Sequence, residues 1–524
     1  MKKRLLTTCF SLFFISSAFA LGSCDAVSGI FGGTSSGSEG LTYELVDGSY
    51  TVTGRGTCEE GIIDIPAKYK GKAVTAIADG AFANDQMIGI VNIPASVTEI
   101  GASAFSGCGN LSDVTMGDAV TVIGEQAFSN CAWLTNITLS NSLEVIEKSA
   151  FNGCRKLTAL ELPEGLRIIS DNAFDYCDTL ASLNFSTSLE VIGERAFSKC
   201  RALQEVNIPD GAPTEIQAYA FEECKNIKNV TLGNSVTYVG PYAFAEIKVR
   251  ELVLGDSITS IGSNAFYGSG RLYKVTLGKS LLSIGDGAFK GCDTIREVYN
   301  RSNLTITVGS TDHGGVAQYA LNVRTGNQPS KISMDEQGVL YLTDNGKKIV
   351  IGALLEDYTD IVLPDDVDEI AFEGLYNLDY LRSLDTGNGC KVIGENAVKN
   401  CYHLEKLIIG SSVQEIGRTA FYRARVLTTV IIRTKFENGS IAEKAFMKKR
   451  DAQGKLEKGS KDFEKVYFEG TSAEWENAKT KFDVDNDDMI NNGSKTTIYF
   501  YSETSPLKAG NYWHYDAEGK PTVW

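Results

Sequence analysis

Histidine is scarce in this chain: His313, His403 and His514 are the only three. There is no H-E-x-x-H and no phosphate-binding G-x-x-x-x-G-K-[ST] loop. The common metal-hydrolase and nucleotide constellations therefore lack their residues. No two cysteines stand in a C-x-x-C pair, although there are 12 cysteines, so zinc-ribbon spacing is missing. Positive charge is in deficit: 50 Lys and Arg against 66 Asp and Glu give a net charge of -16. That excludes nucleic acid or an anionic bilayer as the main ligand, since both need a basic footprint. After the N-terminal apolar run from Leu5 to Ala20, no second run is long enough to cross a membrane.

What the chain has is repetition. Ala-Phe-x-x-Cys recurs in SAFSGC, QAFSNC, SAFNGC, NAFDYC and RAFSKC. The phenylalanines fall at 82, 105, 128, 151, 174, 197, 221, 244, 266 and 289, at spacings of 22 to 24. A catalytic motif is rarely needed ten times at one gap, whereas a stacked backbone coil is needed every time. A period in the twenties is the mark of a leucine-rich solenoid. Such a frame also accommodates 524 residues without a sharp boundary between globular domains, because each coil contacts only its neighbours. Within one coil, Ile137-Thr138-Leu139 alternates inward and outward as a short strand. A turn follows, then a second apolar pair (Leu143 and Ile146), then Ala-Phe in the interior.

VNIPASVTEIGASAFSGC, Val91 to Cys108, carries nearly the whole pattern of the BspA-like leucine-rich repeat family of bacterial surface proteins, and the chain resembles that family. The match covers about 62–297 and returns over 361–446, with Val398, Phe421 and Phe446 in the phenylalanine slot. The resemblance implies a leucine-rich repeat solenoid of about 23 residues per coil. It would be a β-rich right-handed superhelix with short helical or 3-10 turns and a parallel β-sheet along one face. It also implies adhesion or ligand binding at a surface in place of catalysis.

The remaining segments are read around that frame. Lys2, Lys3 and Arg4 before the apolar run make residues 1–23 a signal peptide. LGSC, Leu21 to Cys24, resembles a bacterial lipobox, which implies lipidation at Cys24; cleavage after Ala20, releasing a soluble protein, is the alternative. Residues 24–40 read as a Gly/Ser tether, 41–297 as the first repeat block and 298–360 as a strand-rich non-repeat insert. The second block is 361–465, and 466–524 is an aromatic capping segment.

Candidate sites follow. Cys108, Cys131, Cys154, Cys177, Cys200 and Cys224 share one slot, to which Cys292 and Cys401 return. Equivalent side chains in stacked coils point the same way, whereas a disulfide needs facing Cβ vectors. Ile247 and Ser269 also fill the slot, so reduced, metal-free structural thiols are expected. A row flanked by inward apolars is predicted to face solvent as a flat polar surface: Asn92, Thr115, Thr138, Glu161, Asn184, Asn207, Thr231, Val253 and Thr276. It is either a Thr/Asn ladder supporting strand pairing or a binding face. Near the end, NYWHYDAEGKPTVW resembles a single cell-wall-binding repeat, which would make Trp513 and Trp524 glycan contacts; a capping core is the competing reading. DVDNDD, Asp483 to Asp488, lacks the Gly and Glu of a calcium loop and reads as a solvated turn.

No cofactor, metal site or catalytic residue is implied. The leading expectation is an exported monomer, lipid-anchored on the outer side of the cytoplasmic membrane or at the cell surface, binding a protein or glycan partner. The alternatives are a carbohydrate-active enzyme with a site in 298–360 or 466–524, whose two carboxylates could be far apart in sequence, and a passive envelope spacer.

Overall fold

The computed structural model describes residues 37–354, 359–437, 439–447, 461–483, 496–506 and 510–524. Cys24, the tether before residue 37 and most of the acidic DVDNDD turn lie outside them. The described residues divide into two compact units near residue 245, with 228–231 belonging to the second. Both are β-solenoids built of parallel strands.

In the first unit an antiparallel hairpin, Thr42–Val46 with Ser49–Gly54, opens the stack, and its second strand pairs in parallel with Lys72–Ile77. From there each coil gives one short strand to a continuing ladder: Glu99–Ile100, Val122–Ile123, Val145–Ile146, Ile168–Ile169 and Val191–Ile192. The strand from the start of each coil forms a second ladder, Ile62–Asp64, Ile90–Ile93, Asp113–Met116 and Asn136–Thr138. Leucine, isoleucine and valine between the ladders are buried. Gly124 and Gly193, which end the second strand, are dictated by coil spacing: a Cβ on Gly124 would lie 2.6 Å from the Ile100 carbonyl oxygen.

The Ala-Phe turn is frame, as its repetition predicts. Rings of Phe82, Phe105, Phe128, Phe151, Phe174, Phe197, Phe221 and Phe244 stack at 5.0–5.3 Å, with interplanar angles of 2–9°. The backbone beneath them follows a rule that the sequence reading missed. The residues two before and two after each phenylalanine are left-handed, as at Ser103 (φ 55) and Gly107 (φ 73), or Arg195 (φ 55) and Lys199 (φ 62). Alternating hands turn every second N–H toward the next coil. Ser103 N donates to Glu125 O, Phe105 N to Ala127 O and Gly107 N to Ser129 O, each at 2.7 Å. Those bonds hold non-glycine residues in a region they otherwise avoid.

The cysteine slot has an equally specific role. Each thiol donates to the carbonyl of the phenylalanine one coil back: Cys108 to Phe82 O (3.0 Å), Cys131 to Phe105 O (3.1 Å), Cys154 to Phe128 O (3.2 Å) and Cys224 to Phe197 O (3.0 Å). In the second unit Cys292 donates to Phe266 O and Cys401 to Leu375 O, both at 3.2 Å. The described cysteines are free and buried. Burial pushes the Cys108 thiol up to about 11 and those of Cys292 and Cys401 up to about 12; Cys154 and Cys200 are also raised. A thiol whose folded pKa exceeds its unfolded value near 9 keeps a proton that the unfolded chain releases. Its contribution is whole below about pH 9 and shrinks as pH rises through the folded value. The urea midpoint should therefore fall between about pH 8 and about pH 10. A variant with Cys131, Cys154 and Cys177 changed to serine should fall less, and equal falls would show that other groups titrate.

The second unit begins with the same frame: Glu251–Val253, Lys274–Leu277 and Glu297–Asn300 pair in parallel, and Phe266 stacks on Phe289 at 5.3 Å. The coil order runs on past residue 297, where the sequence pattern breaks. Asn322–Arg324 adds one more parallel strand to Glu297–Asn300, and Gly314 O accepts from Phe289 N in place of an alanine. The insert proper is an antiparallel meander, Ile332–Met334, Val339–Asp344 and Lys347–Ala353. Its last strand pairs in parallel with Glu369–Ile370 and restarts the ladder. The insert is tied down by Glu297, which is fully buried. Its carboxylate accepts from Asn322 Nδ2 (2.8 Å), Ser330 Oγ (2.6 Å) and Lys331 N (3.2 Å), and Arg324 Nε lies 3.4 Å away.

The second block continues the frame with Leu375, Val398, Phe421 and Phe446 buried in the aromatic column. Residues 466–524 extend the stack before they cap it. Lys465–Phe468, Thr497–Tyr501 and Tyr512–Tyr515 pair in parallel, and only Pro521–Val523 turns back antiparallel. Between them lies the α-helix Ser472–Lys479, started by a capping box of Thr471 and Glu474. No helix among the described residues is long and apolar enough to cross a membrane.

Candidate binding surface

The polar row faces solvent, as the alternation predicts. In register it runs Asn92, Thr115, Thr138 in one stretch, Glu161 beside Asn184 in another, and Thr231, Val253, Thr276 in a third, with Asn207 likewise exposed. It is not flat. The first-unit sheet is interrupted between Asn136–Thr138 and Ala159–Glu161, and again after Ser182–Asn184. A hollow of about 920 Å³ lies over Thr138, Glu161 and Asn184. The Asn184 carboxamide accepts from Leu162 N (3.1 Å) and donates to Leu162 O (3.2 Å), doing what a neighbouring strand would do.

The two terminal tryptophans part company. Trp513 is completely buried and its indole donates to Phe468 O at 3.1 Å, so it is core and meets no sugar. Trp524 is partly exposed, stacks on His514 at 3.8 Å and donates to Ser502 O.

A surface that the sequence reading missed lies where the second block resumes. Phe372 is 62% exposed, Tyr376 39% and Tyr380 74%, beside Tyr319 at 43%. Ala371-Phe372 imitates the frame motif, yet Leu375 occupies the column: its N donates to Ala397 O, and its own O receives the Cys401 thiol. Counting back 23 residues from Val398 leads to Leu375 and leaves Phe372 outside, a signal that was available in the spacing. The left-handed Glu373 (φ 54) and Asn377 (φ 58) flank Leu375 two residues before and two after, as in the other coils. Tyr376 is oriented by Asn400 Nδ2, which donates to its hydroxyl at 3.1 Å. Phe372 and Tyr376 form one wall of a groove of about 770 Å³ whose other sides include Tyr319, Leu321, Leu354 and Arg296. Arg296 donates to the carbonyls of Asp293 (2.7 Å) and Ile295 (3.3 Å), and burial pulls its pKa down.

Two acids in the segments proposed for an enzyme are engaged structurally. Asp335 accepts from Tyr341 Oη (2.6 Å) and Val339 N (2.9 Å), and Glu469, raised by burial, faces Arg433. Asp175 and Glu222, also raised by burial, occupy the frame slot after the phenylalanine, two coils apart with Ser198 between them. Among the described residues no three His, Cys, Asp or Glu side chains are grouped to hold a metal.

A model of the BspA type leucine rich repeat region matches residues 75–204, 190–310 and 355–473, in six copies. No curated protein matches the chain. Among solved structures, a leucine-rich repeat protein from Bacteroides ovatus is 25% identical (TM-score 0.46), the match covering 77% of this chain and 98% of that one. A leucine rich cell surface protein from Faecalibacterium prausnitzii is 21% identical (TM-score 0.27), covering 84% and 95%. The leucine rich repeat protein of T. pallidum is 21% identical (TM-score 0.20), covering 50% and 81%.

Proposed function

The chain belongs to the BspA-type leucine-rich repeat family, whose members are typically surface proteins with binding roles, and from that premise we propose a non-enzymatic, adhesion-like receptor for a macromolecular partner. The repeat fold and the family are in general non-enzymatic. The observation that carries the reading is the group of exposed aromatics Phe372, Tyr376 and Tyr319, which line one groove. Aromatic side chains gathered in water mark interaction sites, and tyrosine is enriched where partners bind. A passive spacer has no use for them. The protein acts as a monomer held to the membrane by a lipid on Cys24.

Wild type and the Phe372→Ser, Tyr376→Ser double variant should be screened against extracellular-matrix proteins and a glycan array. Wild type should capture a partner, and the variant should bind it at least tenfold more weakly, as for loss of an interface anchor. Equal binding would move the site elsewhere. Fatty-acid labelling of wild type, lost in Cys24→Ala, tests the anchor; an unlabelled wild type would refute it.

A further inference from the structure

The groove beneath Phe372 does not end at Tyr319. A second groove of about 460 Å³ also has Tyr319 in its lining, together with Tyr267, Lys290, Gln318 and several glycines. Tyr319 and Asp293 line both grooves, so the two form one path over the last coil before the insert. Exposed rings punctuate this path at Tyr267 (37% exposed), Tyr319, Tyr376 and Phe372.

Beside each ring stands a planar or charged hydrogen-bonding group. Lys290 and Asp293 accompany Tyr267, Gln318 accompanies Tyr319, and Arg296 and Glu373 accompany the Phe372 wall. Gln318 Nε2 already donates to the Tyr319 hydroxyl at 3.3 Å, which orients the central ring. The deeper aliphatic residues Leu340, Ile351 and Leu354 are buried, and Leu321 is the exposed aliphatic side chain beside the four rings. The path carries two cations, Lys290 and Arg296, and two carboxylates, Asp293 and Glu373, within a chain of net charge -16.

We propose that this path binds a neutral oligosaccharide, one sugar ring packing on each side of Tyr319. A pyranose offers a C–H face to an aromatic ring and a rim of hydroxyls to carboxylate, amide and guanidinium groups. A balanced lining gives no net attraction to a polyanion or a polycation. Aliphatic peptide side chains would want a deep pocket, and here the deep apolar residues are already packed. The proposal rests on the surface-binding reading and names its ligand class.

The test uses the full-length protein on an array of neutral glycans, followed by calorimetry with the oligosaccharide that binds. Oligosaccharides should bind and their component monosaccharides should bind far more weakly. Tyr319→Ala should weaken binding roughly tenfold, the worth of one aromatic stacking contact, with an unchanged melting temperature. Tyr319→Phe should retain most of the affinity. Tyr176→Ala, in the first unit, should change nothing. Glycan binding indifferent to Tyr319→Ala would overturn the path. Capture of a matrix protein with no neutral glycan bound would overturn the ligand class and leave the surface-binding reading standing. No binding of either class would overturn both.

Discussion

Phe151→Ala should destabilise the first unit by roughly 3–5 kcal/mol, the cost of truncating a fully buried phenylalanine. The ring is completely buried and stacks 5.3 Å from Phe128 and 5.2 Å from Phe174. Its loss removes two aromatic contacts and leaves a cavity spanning two coil interfaces. Solenoid stability is close to a sum of coil and interface terms, so the damage stays local. Hydrogen exchange should lose protection around residues 137–182 and keep it near residue 400. Ala150 is buried beside the ring, so enlarging it should also be poorly tolerated. Unchanged protection in the Phe151→Ala protein together with lost partner binding would mean that the motif is a site and not a frame.

Glu297→Ala should cost a similar amount, about 3–5 kcal/mol, for a different reason: it breaks a buried ion pair from one side. The Arg324 guanidinium, stacked at 3.7 Å on the Tyr299 ring, would lose its carboxylate. Asn322, Ser330 and the Lys331 N–H would lose their acceptor. The strand Asn322–Arg324 and the loop to Ser330 should come loose first, and limited proteolysis should cut between 325 and 331. Glu297→Gln keeps the shape and should fall between wild type and alanine. Wild-type resistance to protease in the alanine variant would show that the meander holds itself without this carboxylate.

The frame was legible because stacking repeats its demands. Phenylalanine every 23 residues requires one column, and alternation in Ile137-Thr138-Leu139 requires a strand with Thr138 outward. A pattern of letters, though, records size better than bonding. The cysteine slot looked like a place for a small buried residue, and the donation from each thiol to the phenylalanine carbonyl one coil back was hidden. The left-handed positions were hidden too, because Ser103, Gln126, Arg195 and Tyr219 carry no turn signature; the partner coil imposes their conformation. Residues 298–324 read as non-repeat because Ala-Phe-x-x-Cys is absent, yet buried Val298, Val316 and Ala317 satisfy the same coil with other side chains. At the candidate surface, the likeness of Ala371-Phe372 to the frame motif concealed an exposed ring. The hollow at Glu161 depends on a break in strand pairing that no local pattern announces.

The thiol-to-carbonyl link has a consequence for how such a chain can change length. From Phe82 to Cys224 each coil offers its successor the same phenylalanine carbonyl and receives the same thiol, so the join between these coils carries no address. Deleting residues 128–150 would place Ala127 directly before Phe151 and bring Cys154 to the carbonyl of Phe105, restoring the geometry that Cys131 has now. Whole coils can thus be gained or lost by slippage of the gene without a misfit, while a deletion of half a coil sets thiol against strand. The aromatic groove stands apart from this, because it is assembled from one interruption of the repeat. Copying coils lengthens the protein without copying this groove.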